Sequence, residues 1–466
     1  MEFWTLPHPD DAPAAVDLRG ERRWSYGDLR RKVDALQESL PCTNRKSLGA
    51  LIARNSLESL AIYLAALRSG NPVILLDASW KPSVLAELVG TYQPDWVFGD
   101  RIDATFSGYR ATSTVMEGLQ ERAERQGVEI HPDLALLLTT SGSTGSPKLV
   151  RLTLRNLAAN AGSIATYLNL TPGERPISSL PMSYSYGLSV VNSHLAAGAC
   201  LLLTDDSVLQ RSFWDALDGH RGTSFAGVPY TYQMLLQTGL LKTRGSGLRT
   251  LTQAGGRLDE RYIRQMYELA QERGWKFVVM YGQTEATARI SYVPFDELGK
   301  KIGSVGVAIP DGSLRVDDVS GELIYCGPNV MMGYAECRDD LAKGDELGGM
   351  LRTGDLARRD EDGYFYITGR TRRFLKMFGK RFNLDDVEMA MASRCHSTIA
   401  CFGKDDLLLA AVEDPQIAPA VHALICETFD LPRHAVQVVA VQQLPRTSNG
   451  KLDYQRLSQQ TAVTGD

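Results

Sequence analysis

The chain is expected to fold as an α/β protein: a large N-terminal domain of parallel-rich sheets carrying a small β-rich subdomain, then a small C-terminal domain. Three observations predict this. Short apolar runs alternate with amphipathic helical segments through most of the chain. Near Gly312 the texture changes to strands separated by tight turns, and beyond Gly369-Arg370 it returns to mixed α/β.

The runs 48–53, 73–76, 96–98, 201–203 and 277–280 are short and apolar throughout, as strands covered on both faces are. Pro82–Tyr92 sets Leu85, Leu88, Val89 and Tyr92 at helical spacing behind a proline near the helix start. The segment 154–168 does the same with Leu157, Ala161, Ile164 and Leu168. Runs 314–316, 321–325 and 364–367 read as strands of the β-rich subdomain, with Glu361-Asp362-Gly363 as a turn. The expected division is therefore 1–369, with 314–369 as the subdomain, and 370–466. That junction is charged rather than rich in Gly and Ser, which reads as a hinge more than a tether.

Composition bounds the function. Across 466 residues, 44% hydrophobic and 23% charged content is that of an ordinary globular protein, and a net charge of −5 argues against a nucleic-acid surface. The cluster Arg370-Thr371-Arg372-Arg373 with Lys376, Lys380 and Arg381 suits either a solvated face or an anionic ligand. Seven cysteines without CxxC spacing fit reduced thiols rather than a disulfide framework or a zinc site. Met1-Glu2-Phe3-Trp4 opens no signal peptide and no apolar run is long enough for a membrane span, so a cytoplasmic location is expected.

The most informative stretch is Thr139-Thr140-Ser141-Gly142-Ser143-Thr144-Gly145-Ser146-Pro147-Lys148, which follows the apolar run 134–138. A buried strand running into hydroxyls, bare amides and one cation can wrap a polyphosphate, although the Walker spacing is absent. Tyr281-Gly282-Gln283-Thr284-Glu285 follows a strand and places a hydroxyl and a carboxylate at the sheet's carboxyl edge, where α/β proteins bind ligands. Asp355, in Leu351-Arg352-Thr353-Gly354-Asp355, could accept both hydroxyls of a ribose, with Arg370 as a further donor. Lys451 sits on a turn in Pro445-Arg446-Thr447-Ser448-Asn449-Gly450-Lys451-Leu452. Each segment alone has a bland reading as a surface connector or loop charge.

Taken in order, these segments resemble the core motifs of the adenylate-forming superfamily: acyl-CoA synthetases, adenylation domains of non-ribosomal peptide synthetases, and firefly luciferase. The resemblance spans nearly the whole chain, from Trp24-Ser25-Tyr26-Gly27-Asp28-Leu29 to the lysine turn. It implies an enzyme that uses ATP and Mg2+ to convert a carboxylic acid to an acyl-adenylate, then transfers the acyl group to CoA or phosphopantetheine. It implies that Thr140, Ser141, Gly142, Ser143, Thr144, Gly145 and Lys148 hold the β- and γ-phosphates. Gly255, Gly256, Tyr281, Gly282 and Gln283 complete the nucleotide site, Thr284 contacts the α-phosphate, and Glu285 holds the metal. Asp355 and Arg370 fix the ribose, and Lys451 bridges the attacking carboxylate and the α-phosphate. The C-terminal domain would then rotate about a hinge at Arg372 and bring Lys376 and Gly379 to a thiol tunnel.

Three positions depart from the common pattern: Arg372 stands where Asp or Lys is usual, Leu149 where Gly is usual, and Tyr184 where His is frequent. Tyr184 reads equally as a gate of the acyl pocket or as a core aromatic. Ser185, Tyr186 and Ser189 surround the place where amino-acid-activating members carry Asp, and Ala254 lines the pocket's other side. Without that carboxylate an α-ammonium would be buried unpaired, which favours an aryl or short to medium acyl acid. The acceptor is CoA or a carrier protein supplied in trans, with an amine acceptor, amino-acid activation and a degenerate nucleotide-binding protein as alternatives.

Overall fold

The computed structural model describes residues 2–40, 46–99, 106–111, 118–123, 129–139, 148–370, 373–377, 380–395, 397–404, 406–429, 431–447 and 450–462. The chain packs as two compact units, 1–313 with 325–351, and 314–324 with 352–466. Packing thus groups most of the β-rich segment with the C-terminal part. The residue expected at the hinge, Arg372, lies outside the described residues.

The first unit is built on three sheets. At the centre of an eight-stranded sheet, Gly49–Ala53 pairs in parallel with Val73–Asp77 and Trp96–Gly99, and Val73–Asp77 with Leu134–Thr139. These strands are almost wholly buried, which explains their unbroken apolar runs. Toward one edge the direction reverses: Leu149–Thr153 runs antiparallel to Leu134–Thr139, and Gly333–Ala335 antiparallel to Leu149–Thr153. In a five-stranded sheet Ser224–Gly227, Thr250–Gln253 and Lys276–Tyr281 are parallel, while Ser291–Tyr292 and Val307–Ala308 return antiparallel. The expectation of parallel-rich sheets therefore holds at their centres, with antiparallel edges.

Helices Leu57–Arg68 and Ser185–Ala196 are buried on nearly every side, as sequences without a polar stripe must be. Ser56 caps the first of them by accepting from the Ser59 amide. Helix Leu154–Tyr167 packs on Ser185–Ala196 and opens with a reciprocal capping box between Thr153 and Asn156. The Asn156 amide also donates to the carbonyls of Pro328 and Val330, both at 2.8 Å, tying this helix to the segment that leads into strand Gly333–Ala335.

The second unit contains strands Glu322–Cys326, Met350–Arg359 and Phe365–Arg370 of a four-stranded sheet that straddles the division of the chain. A hairpin, Phe374–Met377 with Lys380–Asn383, and a sheet of Ala400–Lys404, Leu407–Val412 and Val436–Ala440 follow. Helices Leu384–Cys395 and Ala418–Phe429 close its own apolar core around Val387, Met391, Leu408, Val421 and Ile425. Among the described residues no helix is long and apolar enough to cross a membrane.

Candidate active site

In the first unit the carboxyl end of strand Lys276–Tyr281 carries the motif loop. The chain doubles back at once: the amide of Ala288 donates to the Gln283 carbonyl at 3.1 Å and that of Ile290 to the Tyr281 carbonyl at 2.9 Å. A Cβ on Gly282 would lie 1.9 Å from the Ala288 carbonyl oxygen, so only glycine fits. Thr287 and Ala288 take positive φ, 55° and 100°, a local strain that surrounding bonds must hold. Those bonds come from Asn329, whose side-chain amide donates to the carbonyls of Ala286 (2.7 Å) and Arg289 (2.8 Å), and whose carbonyl accepts from Thr287 Oγ1 at 2.6 Å.

This folding brings Thr284 and Glu285 to two different neighbours. Thr284 Oγ1 lies 3.0 Å from Ser185 Oγ, at the start of the buried helix Ser185–Ala196. Glu285 Oε1 accepts a 2.7 Å bond from the Tyr334 hydroxyl. The same tyrosine ring carries Lys148 Nζ over its face at 4.5 Å. One side chain on an edge strand therefore holds both the expected metal carboxylate and the expected phosphate cation. Residues 140–147, the rest of the expected phosphate loop, lie outside the described residues. The strands on either side of them pair antiparallel, with Thr139 opposite Leu149.

The expected acyl pocket is a cluster of aromatic and small side chains. Tyr186 packs with Ala226, Ala254, Val278 and Met280, and Tyr167, Tyr184 and Tyr292 lie against them. Gly255 has φ +85°, and a Cβ there would meet the Tyr184 hydroxyl at 2.7 Å, so Tyr184 occupies the space beside the glycine pair Gly255-Gly256. Burial pushes the Tyr184 phenol up to about 12, with the Arg289 charge acting against it. Tyr186 Oη bonds Thr252 Oγ1 at 2.9 Å, and Ser189 Oγ donates to the Tyr186 carbonyl at 2.6 Å. Arg289 is 2% exposed, and its guanidinium stacks on the Tyr186 ring at 3.9 Å.

In the second unit Asp355 is buried, and Arg370, its register partner on the neighbouring strand, places Nε 3.0 Å from Asp355 Oδ1. The two residues expected at the ribose are thus already side by side. Lys451 sits on a turn closed by Thr447, whose amide donates to the Lys451 carbonyl at 2.8 Å and whose Oγ1 accepts from the Lys451 amide at 3.2 Å. The helix after it, Tyr454–Ala462, is anchored by Tyr454, whose hydroxyl reaches both Glu388 carboxylate oxygens at 3.1 Å. Arg373 pairs with the same Glu388 (2.8 Å) and with Asp385, and stacks on Tyr454 at 4.0 Å. Burial pushes the carboxyls of Asp385 and Glu388 up, and Arg373 opposes that. Gly379 lies outside the described residues, and so does the side chain of Lys376.

An "AMP-binding enzyme" family model matches residues 3–335, most of the chain and all of the motif loop. The chain belongs to the AMP-binding enzyme family. Similar proteins include an indoleacetate–CoA ligase of Aromatoleum aromaticum, 28% identical over 97% of this chain and 96% of its own length. An L-proline–[L-prolyl-carrier protein] ligase of Pseudomonas fluorescens is 27% identical, covering 88% of each chain. The fold matches o-succinylbenzoate coenzyme A synthetase of Bacillus subtilis in complex with ATP and magnesium ion: TM-score 0.75, 19% identity, 98% of this chain and 99% of that one. This AMP-binding enzyme is an ATP-dependent, AMP-forming acid–thiol ligase.

Mg2+ suits the residues present. Glu285 is a single, partly exposed carboxylate at a strand end, its oxygen held by a phenol, and Mg2+ prefers one or two such oxygens with water and phosphate completing its shell. Sequence reasoning missed Tyr334 and Arg289. The tyrosine is one ring in the short run Met331-Met332-Gly333-Tyr334-Ala335, with no motif around it. A signal for Arg289 existed: a lone cation four residues beyond Glu285, in a segment otherwise of small and apolar residues.

Proposed function

We propose that this enzyme activates a non-amino carboxylic acid, aryl or short to medium acyl, and delivers it in the cytoplasm to a phosphopantetheine thiol of CoA or of a carrier protein. One observation carries the choice of acid: around the place where amino-acid-activating members hold Asp stand Ser185, Tyr186 and Ser189, and the Ser185 hydroxyl is engaged with Thr284. An α-ammonium in this cluster would meet hydroxyls and the Arg289 cation, with no carboxylate among the described residues to neutralise it. The relative that activates indoleacetate supports an aryl acid and CoA, and the prolyl-carrier ligase supports a carrier.

Roles follow from chemistry. Lys148 and the loop 140–145 hold the β- and γ-phosphates, and Tyr334 keeps Glu285 aimed where the metal is needed. Bound Mg2+ supplies charge screening between the phosphates and the incoming carboxylate. The Thr284 hydroxyl donates to the α-phosphate, and its bond with Ser185 fixes which way it points. Asp355 accepts the ribose hydroxyls, with Arg370 beside it. Lys451 stabilises negative charge as carboxylate and α-phosphate join. Arg372 serves as the hinge, and Lys376 and Gly379 line the thiol's approach after rotation.

Acid-dependent ATP–pyrophosphate exchange over a panel of carboxylic acids, followed by capture with CoA or a loaded carrier, tests this. Exchange with aryl or acyl acids and thioester formation are expected. Exchange driven equally by free α-amino acids would refute the acid class, and adenylate released only to amines would refute the thiol. Gly379→Trp should leave exchange intact while blocking thioester formation; loss or survival of both together would remove Gly379 from the thiol path.

A further inference from the structure

Arg289 is a buried cation without a buried anion. Its Nε and Nη1 have no hydrogen-bond partner, and among the described residues no carboxylate pairs with it. Other buried arginines in the first unit are neutralised. Arg151 reaches Glu346 at 2.6 Å and several carbonyls, and Arg338 reaches Asp95 at 3.2 Å. A guanidinium cannot escape desolvation by losing its proton, so leaving one unpaired is costly. Stacking on Tyr186 and a bond to Tyr167 compensate only in part.

Its position gives the cost a use. Arg289 acts electrostatically on Tyr167, Tyr184 and Tyr186, the aromatics of the expected acyl pocket, which pack with the small side chains of Ala226 and Ala254. Arg289 follows the motif loop directly and is fixed through its own backbone, whose carbonyl accepts from Asn160 and Asn329. The cation therefore lies among the side chains expected to line the acyl pocket, with its backbone carbonyl held by two asparagines. Tyr184, beside Gly255, lies close enough to Arg289 for their charges to interact, and its rotation would open the space beside that glycine.

We propose that Arg289 receives a second anionic group of the substrate, so that the preferred acid is one carrying a distal carboxylate or sulfonate besides the carboxylate that is activated. This deepens, and rests on, the reading of the enzyme as an acid-activating ligase. The arrangement matches guanidinium chemistry, in which several N–H donors in one plane meet the oxygens of a carboxylate or sulfonate.

The test compares ATP–pyrophosphate exchange with linear or aryl monocarboxylates, matching dicarboxylates and sulfonate-terminated acids of equal length. The wild-type enzyme should favour a dianionic acid by about tenfold or more in kcat/KM, the usual scale of a charge-assisted hydrogen bond. The two dianionic arms separate carboxylate from sulfonate as the natural group. Arg289→Met should erase that preference, with the loss falling on the dianionic acids, and Arg289→Lys should restore part of it. Equal loss for all acids would mark Arg289 as structural and overturn the proposal. Wild-type preference for monocarboxylates would overturn it without any variant, leaving the ligase reading intact. No exchange with any acid would refute the ligase reading itself, and the inference with it.

Discussion

Arg289 in the first unit and Arg373 in the second invite comparison. Each guanidinium lies about a ring's thickness above a tyrosine, at 3.9 Å over Tyr186 and 4.0 Å over Tyr454. Arg373 also holds two carboxylates, Asp385 and Glu388, and through Glu388 and Tyr454 it joins two helices. Arg289 holds no carboxylate at all among the described residues. The same side chain in the same stacked pose is thus a completed junction in one place and an open valence in the other. Burial alone does not say which; the inventory of partners does.

Exchanging each arginine for methionine tests that contrast most directly. Arg373→Met should cost up to about 3 kcal/mol, because it leaves the half-buried carboxylates of Asp385 and Glu388 without their shared cation. Arg289→Met should leave thermal stability unchanged or raise it, since no partner is stranded. Equal drops in Tm for the two variants would dissolve the distinction.

On the proposed roles, the two units also divide the charges: Lys148 and Glu285 lie in the first, and Asp355, Arg370 and Lys451 in the second. Lys451→Ala should lower acid-dependent exchange by about 10²–10³-fold while ATP binding by calorimetry persists, the scale of losing one transition-state donor. Joint loss of binding and exchange would move Lys451 to a ground-state role.

Histidine sharpens the comparison because, unlike arginine, it can shed its proton. Burial lowers His194 to about 4 from its usual 6.5, against the opposing bond from Nδ1 to the Val190 carbonyl. The unfolded chain therefore takes up a proton that the folded one refuses. This contribution to stability is complete above about pH 6.5 and is lost as pH falls toward 4. By about pH 5 the loss should be about 2 kcal/mol. His194→Phe should flatten that part of the stability profile; an unaltered profile would show that other groups set it.

The smallest effect belongs to Tyr334→Phe. It removes one hydroxyl from Glu285 and keeps the ring beneath Lys148. A loss of about 0.5–1.5 kcal/mol should appear as a raised KM for Mg·ATP at nearly constant kcat. A fall in kcat at unchanged KM would place the tyrosine in the chemical step instead.

Much of the fold was legible in the sequence because its central strands are buried on both faces and therefore spell themselves as apolar runs. Strand 277–280 was found within a residue at each end, as Lys276–Tyr281, and helix Pro82–Tyr92 at its bounds. The strand Gly333–Ala335 was not readable: three residues carry no period, and only pairing with Leu149–Thr153 makes them a strand. The site follows the same division. Glu285, Asp355 and Lys451 announce themselves through motifs that shape their own turns. Tyr334 and Arg289 acquire meaning from partners 49 and 103 residues away, Glu285 and Tyr186, which no local pattern encodes.

On the proposed roles, the groups at the phosphates are shared between two sheets, Thr284 and Glu285 hanging from the five-stranded one, while those at the acid hang chiefly from that sheet alone. Lys148 and Tyr334 ride on the eight-stranded sheet, whereas Ala254, Met280 and Arg289 belong to strands and loops of the five-stranded one. Two short bonds, Ser185 to Thr284 and Tyr334 to Glu285, tie that second sheet's loop to its surroundings. For an engineer this is a seam. On the proposed roles, Ala254 and Met280 on its far bank are the positions to rewrite for a new acid, provided that Thr284 and Glu285, which hang from the same sheet, keep those two bonds.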